Sequence, residues 1–306
     1  MKYTYKSWSS IGLLLTVTQC AAIPTIGILS WFKSTNEQVL TKEFPIKTPG
    51  LLTVDNLDGA ITIKVGNQPK IFVSAVKRTA KEEDLDEITV DVKHTNDSTL
   101  HLTTKYDQKD VKGGVDYTLV IPAHMDLKLA NRDGAIMVHG VTGTIHATTK
   151  NGDIELVGPK RRVDARTKKT GNITIHQPGK NMITAHTAKG AITIYDAQQT
   201  VHASTEQGAI EISYAHVPNT SRMVVESTTG DIMLYIPNDT NAELNAKTDK
   251  GSIRCDLDVA IKPFTTQLNN RTWNKLKKEV HGTIGSGEAE IKAHSKYGNI
   301  KILRSE

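Results

Sequence analysis

A glycine recurs at almost constant intervals through the middle of the chain, and nearly the same short sequence follows it each time. The glycine is followed by Asp, Asn, Ala or Ser, then by Ile, a variable residue and another apolar residue. The glycines are Gly134, Gly152, Gly171, Gly190, Gly208, Gly230 and Gly251, at spacings of 18, 19, 19, 18, 22 and 21 residues, with outlying copies at Gly59 and Gly298. A period of about 20 residues is typical of repeat proteins, whose units bury their apolar faces on one another.

Each glycine is preceded by an arm in which apolar and polar residues alternate. Apolar residues stand seven and five positions before the glycine, and a small polar residue stands three positions before it. The small polar residues are Thr149, Thr187, Thr205, Ser227, Thr248 and Ser295, and Thr167 takes this place in a unit with one extra residue. Alternation with a period of two predicts a strand on each side of the glycine, which itself permits a sharp corner.

Two arrangements of these strands compete. A series of hairpins needs a tight turn such as Asn151-Gly152 in every repeat, and only one repeat contains that pair. Stacked coils about 4.8 Å apart would instead place like residues above like residues. The sequence therefore predicts an all-β fold, a parallel β-solenoid with coils of about 20 residues.

Stacking in chain order predicts two interior columns and one column of hydroxyl groups. The first interior column is Ile136, Ile154, Ile173, Ile192, Ile210, Ile232 and Ile253, and the second is Val138, Leu156, Ile175, Ile194, Ile212, Leu234 and Cys255. Burying one isoleucine contributes roughly 1.5–3 kcal/mol, so the columns outweigh any single turn preference. We expect the Thr and Ser side chains to form hydrogen bonds along their own column.

Interruptions of the repeat divide the chain into segments. We predict a signal peptide or membrane anchor over 1–32, a polar linker over 33–48 and the repeat domain over 49–306. Within the domain we predict an antiparallel strand insert that caps the solenoid (64–125), regular coils (126–255), a second insert with a short helix or loop (256–286) and a last coil (287–306). A cap is expected because an open end of a solenoid is an exposed sheet edge.

The N-terminal segment carries two lysines and then no charge from Ser7 to Phe32. Three interpretations stay open. Cys20 is a lipidation candidate in a lipoprotein signal, although Gln19 is unusual before such a cysteine. A secretory signal would be cleaved near Cys20–Ala22, and an uncleaved anchor could use Ile11–Phe32, which is long enough to span a bilayer. All three export the repeats across the inner membrane, so we expect a membrane-tethered protein of the bacterial cell envelope, either periplasmic or surface-exposed.

Charge and cysteine content exclude other classes of protein. The net charge is +5 and the basic excess looks diffuse along the sequence, which predicts a solvated surface and no nucleic-acid binding. Two cysteines, Cys20 and Cys255, provide no disulfide framework. Because Cys255 occupies an interior column, we expect it to be a buried structural thiol.

The repeats and their inserts resemble a known family. The repeated glycine motif, the strand Tyr117–Pro122 that ends the first insert, and the late sequence Gly282–Gly287 are similar to the bacterial "putative adhesin" or DUF4097 family of β-strand repeats. The resemblance covers about residues 50–306. It implies a β-solenoid-like fold in a protein that is usually exported or tethered, with no assigned catalytic residues.

Candidate chemistry is confined to the outward columns. His146 and Asp164 could form a pH-sensitive pair or a weak metal site, but neither outward column repeats a ligand at every coil, which favours a solvated face. Glu155 and Glu211 share a column at a distance of three coils, about 14 Å. That separation exceeds the roughly 5–9.5 Å between the carboxyl groups of glycosidases. We therefore predict no catalytic residue, no metal and no cofactor.

These observations lead to one main hypothesis and two alternatives. The main hypothesis is a non-catalytic, exported, membrane-tethered solenoid that presents a binding or scaffolding face, as an adhesin does, to an envelope protein or a surface glycan. The first alternative is a structural subunit of an envelope assembly such as a secretion machine. The second is a carbohydrate-active enzyme, since some β-solenoids carry carboxylates along one face.

Overall fold

The computed structural model of the protein describes residues 36–108, 111–262 and 278–305. The first strands are β1 (Asn36–Pro45), β2 (Gly50–Asp58), β3 (Ile61–Gly66), β4 (Lys70–Thr79), β5 (Ile88–Asn96), β6 (Thr99–Tyr106), β7 (Gly113–Pro122), β8 (Met125–Asp133) and β9 (Ile136–His139). A short 3-10 helix, Glu82–Leu85, lies between β4 and β5. The strands expected in the first insert are therefore present, with this short helix between two of them.

The remaining strands alternate between a long and a short arm in each repeat. They are β10 (Ile145–Asn151), β11 (Ile154–Val157), β12 (Val163–Thr170), β13 (Ile173–His176), β14 (Ile183–Lys189), β15 (Ile192–Ala197), β16 (Val201–Gln207), β17 (Ile210–Tyr214), β18 (Arg222–Thr229), β19 (Ile232–Ile236), β20 (Ala242–Thr248), β21 (Ile253–Cys255), β22 (Ala260–Ile261), β23 (Glu279–Ile284), β24 (Ala289–Tyr297) and β25 (Ile300–Arg304). Each repeat is strand, corner, strand, as the sequence predicts.

Two long sheets face each other and enclose the core. Sheet A has 13 strands in the order β22-β23-β20-β24-β18-β16-β14-β12-β10-β8-β2-β6-β5. Sheet B has 12 strands in the order β1-β4-β7-β3-β9-β11-β13-β15-β17-β19-β25-β21. From β8 to β19 all neighbours pair in parallel, and like residues pair with like, as Ile173 does with Ile192. The predicted parallel solenoid is confirmed.

The interior columns pack as the repeat predicts. Ile154, Ile173, Ile192 and Ile210 are almost completely buried, and the small Ala column of sheet A is buried as well. The alanines leave room for the larger side chains of sheet B, so the two sheets can approach closely.

The corner glycines explain why the repeat tolerates no other residue there. A Cβ on Gly190 would lie 2.1 Å from the carbonyl oxygen of Gly171, and one on Gly208 would lie 1.9 Å from that of Gly190. These glycines adopt φ near 153°, a region that side chains rarely occupy. The column therefore stacks backbone directly on backbone.

The hydroxyl column bonds differently from our expectation. Every side chain of the column except Thr167 donates to the carbonyl oxygen of a corner glycine in the neighbouring coil and not to the next hydroxyl. The donors and acceptors are Thr149 to Gly134, Thr187 to Gly171, Thr205 to Gly190, Ser227 to Gly208, Ser295 to Gly230 and Thr248 to Gly298, at 2.8–3.2 Å. A buried carbonyl oxygen without a hydrogen bond lowers stability. The hydroxyl group therefore donates to the corner glycine's carbonyl oxygen, which the tight corner would otherwise leave without a donor.

The N-terminal end departs from the predicted boundaries in two ways. Strand β1 lies within 33–48, where the sequence predicts a linker, and pairs antiparallel with β4. Its Phe44 is buried, and this apolar contact is the reason that the segment joins the sheet. Strands β6 and β7 pair in parallel with β2 and β3, so part of the predicted insert is a further coil. Only β1, β4 and β5 form the antiparallel cap.

The C-terminal end corrects the predicted stacking order. Strand β24 lies between β18 and β20, and β25 lies between β19 and β21. Ile232 therefore pairs with Ile300 and not with Ile253. The coil formed by β24 and β25 was expected at the end of the domain, but it lies one coil inside that end.

The second insert places β23 antiparallel beside β20, with the two-residue β22 outside it. The short helix or loop expected within the second insert (256–286) falls largely on 263–277, which lie outside the described residues. The N-terminal signal or anchor and Cys20 also lie outside them. Within the described ranges, no helix is long and apolar enough to cross a membrane.

Cys255 lies on the last strand of sheet B and is half-buried, less than we expected of an interior column. No further strand of sheet B lies beyond it among the described residues, so one side of the column stays open. Burial still raises the pKa of its thiol above the ordinary value.

Candidate binding face

The candidate residues divide between the outer faces of the two sheets. His146 and Asp164 project from sheet A, on β10 and β12. Glu155 and Glu211 project from sheet B, on β11 and β17. Since each outward row runs along the solenoid, neighbouring side chains in a row come from successive coils about 4.8 Å apart.

His146 and Asp164 face each other across neighbouring strands, but their contact is loose. Nδ1 of His146 lies 3.8 Å from a carboxylate oxygen of Asp164. Arg166 holds that carboxylate more closely, with two N–H groups donating at 2.7 and 3.1 Å. The same carboxylate raises the pKa of the Arg166 guanidinium. Asp164 is therefore engaged by Arg166, and no cluster of three or more potential metal ligands occurs in the described part of the chain.

Glu155 and Glu211 lie on one row with two threonines between them. Glu155 is beside Thr174, Thr174 beside Thr193 and Thr193 beside Glu211. The register thus keeps the two carboxylates three coils apart, as the sequence predicts. At this distance the two groups cannot act on one glycosidic bond.

The acidic and amide residues that follow corner glycines have a structural role. The carboxylate of Asp153 accepts a hydrogen bond from the backbone N–H of Asn172, and the Asn172 amide oxygen accepts one from that of Ala191, at 2.7 and 2.8 Å. Asp231 accepts from the backbone N–H of Asn299 in the same way. These side chains connect one coil to the next at the corner, where the strand ladder is interrupted.

A further outward pair lies in the middle of sheet A. Nδ1 of His186 and Oγ of Ser204 are 2.8 Å apart on the neighbouring strands β14 and β16. Such cross-strand contacts fix side-chain positions on a sheet face. Together with Thr184 and His202 on the same strands, they make this part of the face polar.

The positive charge of the protein is concentrated in one part of the solenoid, which corrects our expectation of a diffuse basic excess. Residues 150–189 contain nine Lys and Arg but only three Asp and Glu, a net charge of +6 against +5 for the whole chain. The cations are Lys150, Lys160, Arg161, Arg162, Arg166, Lys168, Lys169, Lys180 and Lys189, which we call the cationic band. All but Lys150 are exposed.

The band is centred on strand β12 and its two flanking corners. Arg162, Arg166 and Lys168 share the outward side of this arm with Asp164, while Val163, Ala165 and Thr167 point inward and are buried. Lys160 and Arg161 precede the strand and Lys169 lies near its end. The band therefore crosses the outer face of sheet A from one corner of the solenoid to the other.

The cations of the band are unpaired to an unusual degree. Among the described residues, Arg166 is the only one of the nine that forms an ion pair. Elsewhere, basic side chains regularly have acidic partners, for example Lys70 with Glu43 and Arg222 with Glu290. A surface whose charges are not neutralised within the protein attracts anionic partners at long range.

Sequence reasoning missed the band because the net charge of the whole chain was considered alone. A count over successive windows of about two coils would have shown it, since the other 266 residues carry a net charge of −1. The sequence could not show which cations lack partners, because pairing depends on residues in neighbouring coils.

Comparison with solved structures finds seven matching chains, and the three named next align along most of their length. A protein described as a "putative adhesin" from Bacteroides fragilis is 14% identical, with 87% of this chain and 97% of that chain covered and a TM-score of 0.41. Another from Parabacteroides distasonis is 10% identical, with the same coverages and a TM-score of 0.43. A "putative cell adhesion protein" from Clostridium sporogenes is 10% identical, with 89% and 100% covered and a TM-score of 0.28.

No curated protein matches the sequence significantly. The sequence model of one family, Toastrack DUF4097, matches residues 51–303. The match begins in β2 and ends in β25, so it includes every coil described above, both inserts and the intercalated last coil. The chain therefore belongs to the toastrack DUF4097 family.

Proposed function

We propose that this chain is an exported, membrane-tethered, non-catalytic protein whose solenoid presents a binding face to an envelope protein or a surface glycan. The observation that carries the proposal is the outer face of sheet A. Ten neighbouring parallel strands, from β6 to β20, form one continuous surface. At about 4.8 Å per strand this surface is roughly 40 Å long.

The arrangement of side chains on this face suits binding by many contacts. Each strand contributes two or three outward polar side chains, so a partner would touch several coils at once. No single residue is then expected to determine the interaction, because each solvent-exposed contact contributes little energy. The adhesin descriptions of the structurally aligned proteins agree with a binding role, and the N-terminal segment of this chain supports export.

The proposal is tested by measuring how the purified full chain binds to isolated cell envelopes. Envelopes treated with periodate, which destroys sugars, or with protease, which removes proteins, distinguish the two kinds of partner. We expect saturable binding that one of the treatments abolishes. Absence of saturable binding to untreated envelopes would overturn the proposal, and a stoichiometric complex purified from native membranes would favour the alternative of an assembly subunit.

A second measurement distinguishes a binding surface from an enzyme. His146→Ala, Glu155→Ala and Glu211→Ala should each leave envelope binding within about twofold of the unmodified chain, as exposed contacts do. Removal of a general acid or base would instead lower a reaction rate by about 10²–10⁴. If the unmodified chain released sugars from envelopes and one of these substitutions abolished that release, the protein would be an enzyme.

The tether is tested separately by mass spectrometry of the mature N-terminus. A lipid on Cys20, a cleaved chain or an intact N-terminus would each identify one of the three interpretations. If the lipoprotein interpretation holds, Cys20→Ser should release the protein from membranes. An unlipidated protein without an N-terminal segment would contradict tethering while leaving the binding face untouched.

A further inference from the structure

We propose that the cationic band binds a linear acidic polysaccharide, one with carboxylate groups on its repeating sugars, that lies along strand β12. This inference rests on the proposed function and specifies the chemistry of its ligand. It is carried by three observations: the spacing of the cations, their lack of partners, and the absence of aromatic and large exposed apolar side chains from the band.

The spacing of the cations follows from the strand. Outward residues alternate along β12, so Asp164, Arg166 and Lys168, together with Arg162 just before the strand, are spaced about 6.6 Å apart. They extend over roughly 20 Å, and Lys160, Arg161 and Lys169 lengthen the row at its ends. A row of this kind offers regularly placed positive charge to a polymer with regularly placed negative charge.

The neighbouring strands widen the row without interrupting it. His146 and Lys150 lie on β10, and His186 and Lys189 lie on β14. The band is thus about three coils wide, or some 10 Å between the outer strands. This shape is long and narrow, which suits a single extended chain better than a globular partner.

The charges of the band are available to a ligand. The one carboxylate within the row, Asp164, is already held by Arg166. The other cations form no ion pair with any residue in the described ranges, and all but Lys150 are exposed. A carboxylate ligand could therefore bind Arg161 or Arg162 through two parallel N–H···O bonds without displacing an internal partner.

The surface around the band favours an acidic glycan over other polyanions. Single-stranded nucleic acids bind where aromatic side chains stack on the bases, and residues 150–189 contain no Trp, Tyr or Phe. Membrane surfaces are bound by broad basic faces with exposed apolar side chains, and the large exposed apolar residues of the described chain, such as Val39 and Ile261, lie outside the band. Sugars need neither feature when charge and hydrogen bonds hold them.

The test uses the purified full chain and polygalacturonate as a defined carboxylated polymer, with isothermal titration calorimetry at low and physiological salt. We expect saturable binding that weakens as salt screens the exposed charges. Dextran, which is uncharged, should not bind. Absence of binding to polygalacturonate at low salt would overturn the proposal.

A matched pair of variants distinguishes the band from net charge alone. Arg162→Glu, Lys168→Glu and Lys169→Glu together reverse three charges within the band. Lys93→Glu, Lys128→Glu and Lys247→Glu together reverse three exposed charges on the same sheet outside it. We expect the first variant to lose more than about tenfold in affinity and the second less than threefold. Equal losses would overturn the proposal.

Two further controls keep the result interpretable. Thermal unfolding followed by circular dichroism checks that both variants are folded, and Lys168→Gln with Lys169→Gln provides a milder change that should weaken binding by a smaller factor. Tighter binding to single-stranded DNA or to phosphatidylglycerol vesicles than to polygalacturonate would assign the band to another polyanion and overturn our choice. Envelope binding that persists in the band variant would contradict this inference while the proposed function stands.

Discussion

The regular coils and the C-terminal end of the solenoid are built from the same repeat, yet they assemble in different orders. From β9 to β19 every coil lies on the one before it in the chain. At the C-terminal end, β20 and β21 leave a space of one coil, and β24 and β25 occupy it. Chain order and spatial order therefore agree in the middle and disagree at the end.

The difference shows what a repeat motif specifies. It makes each coil complementary to any other coil, because Ile232 meets an isoleucine whether its neighbour is Ile253 or Ile300. The repeat motif does not determine which coil lies next to which. At the end, β23 pairs antiparallel with one edge of β20, which leaves the other edge for β24.

The largest effect is expected when the intercalated coil is removed. Truncation after Ser286 deletes β24 and β25 and leaves β18 and β20 without their shared partner. The lost burial of Ile291, Ile300 and Ile302 alone predicts a decrease of about 5 kcal/mol or more in the free energy of unfolding. Guanidinium denaturation followed by circular dichroism measures it.

Deletion of a middle coil is the matched control for this truncation. Removal of residues 190–207 joins Lys189 to Gly208 and lets β14 and β18 become neighbours in the usual register. We expect a shorter protein that still unfolds cooperatively. A middle deletion as damaging as the truncation would show that the two regions do not differ.

A polar substitution in an interior column should have the next largest effect. Ile192→Asn places an amide in the buried column between Ile173 and Ile210, at a cost of roughly 4 kcal/mol. The adjacent outward change, Thr193→Asn, should alter the free energy of unfolding by about 0.5 kcal/mol or less. Similar shifts in chemical denaturation would mean that inward and outward faces are wrongly assigned.

The corner glycines allow the middle and the end to be compared by one kind of change. Gly208→Ala would force a Cβ to 1.9 Å from the Gly190 carbonyl oxygen, with the next coil stacked on its other side. Gly251→Ala makes a similar contact of 2.0 Å with the carbonyl oxygen of Gly298, but at the corner that precedes β21, the outermost strand of sheet B. We expect a loss of about 3 kcal/mol for the first change and about half that for the second, because the outer coil can shift.

The smallest effect concerns the hydroxyl column. Thr187 donates to the Gly171 carbonyl oxygen at 2.8 Å, whereas the hydroxyl of Thr167 has no partner among the described residues. Thr187→Val should therefore cost about 1 kcal/mol in unfolding free energy, and Thr167→Val should be neutral or slightly stabilising. A cost for Thr167→Val equal to that for Thr187→Val would contradict the assigned hydrogen bonds.

The fold of the middle coils could be predicted because their pattern is local and repeated. Alternation placed Ile154 and Ala165 inside, and the recurring glycine placed the corners. The partner of Ile232 could not be predicted, because Ile253 and Ile300 present the same apolar side chain. The hydroxyl bonds were also missed, since a column of like side chains suggests contact within the column, while the buried glycine carbonyl accepts more favourably.

The candidate site was predicted less well than the fold. The separation of Glu155 and Glu211 follows from the period alone and was predicted. The engagement of Asp164 by Arg166 was not predicted, although the two residues are only two positions apart on one strand. The cationic band was missed because it depends on the absence of acidic partners in the neighbouring coils. The sequence of a single repeat does not show which residues the neighbouring coils place beside it.

The position of the last coil also has a consequence for biosynthesis. Strands β24 and β25 follow β20 in the chain and therefore leave the ribosome after it, yet they complete the inside of the stack. Until they arrive, β18 and β20 each present an open strand edge, which is the feature that most readily pairs with other chains. A nascent chain of this protein is therefore vulnerable to aggregation until β24 and β25 have emerged, and a chaperone bound during that interval would protect it.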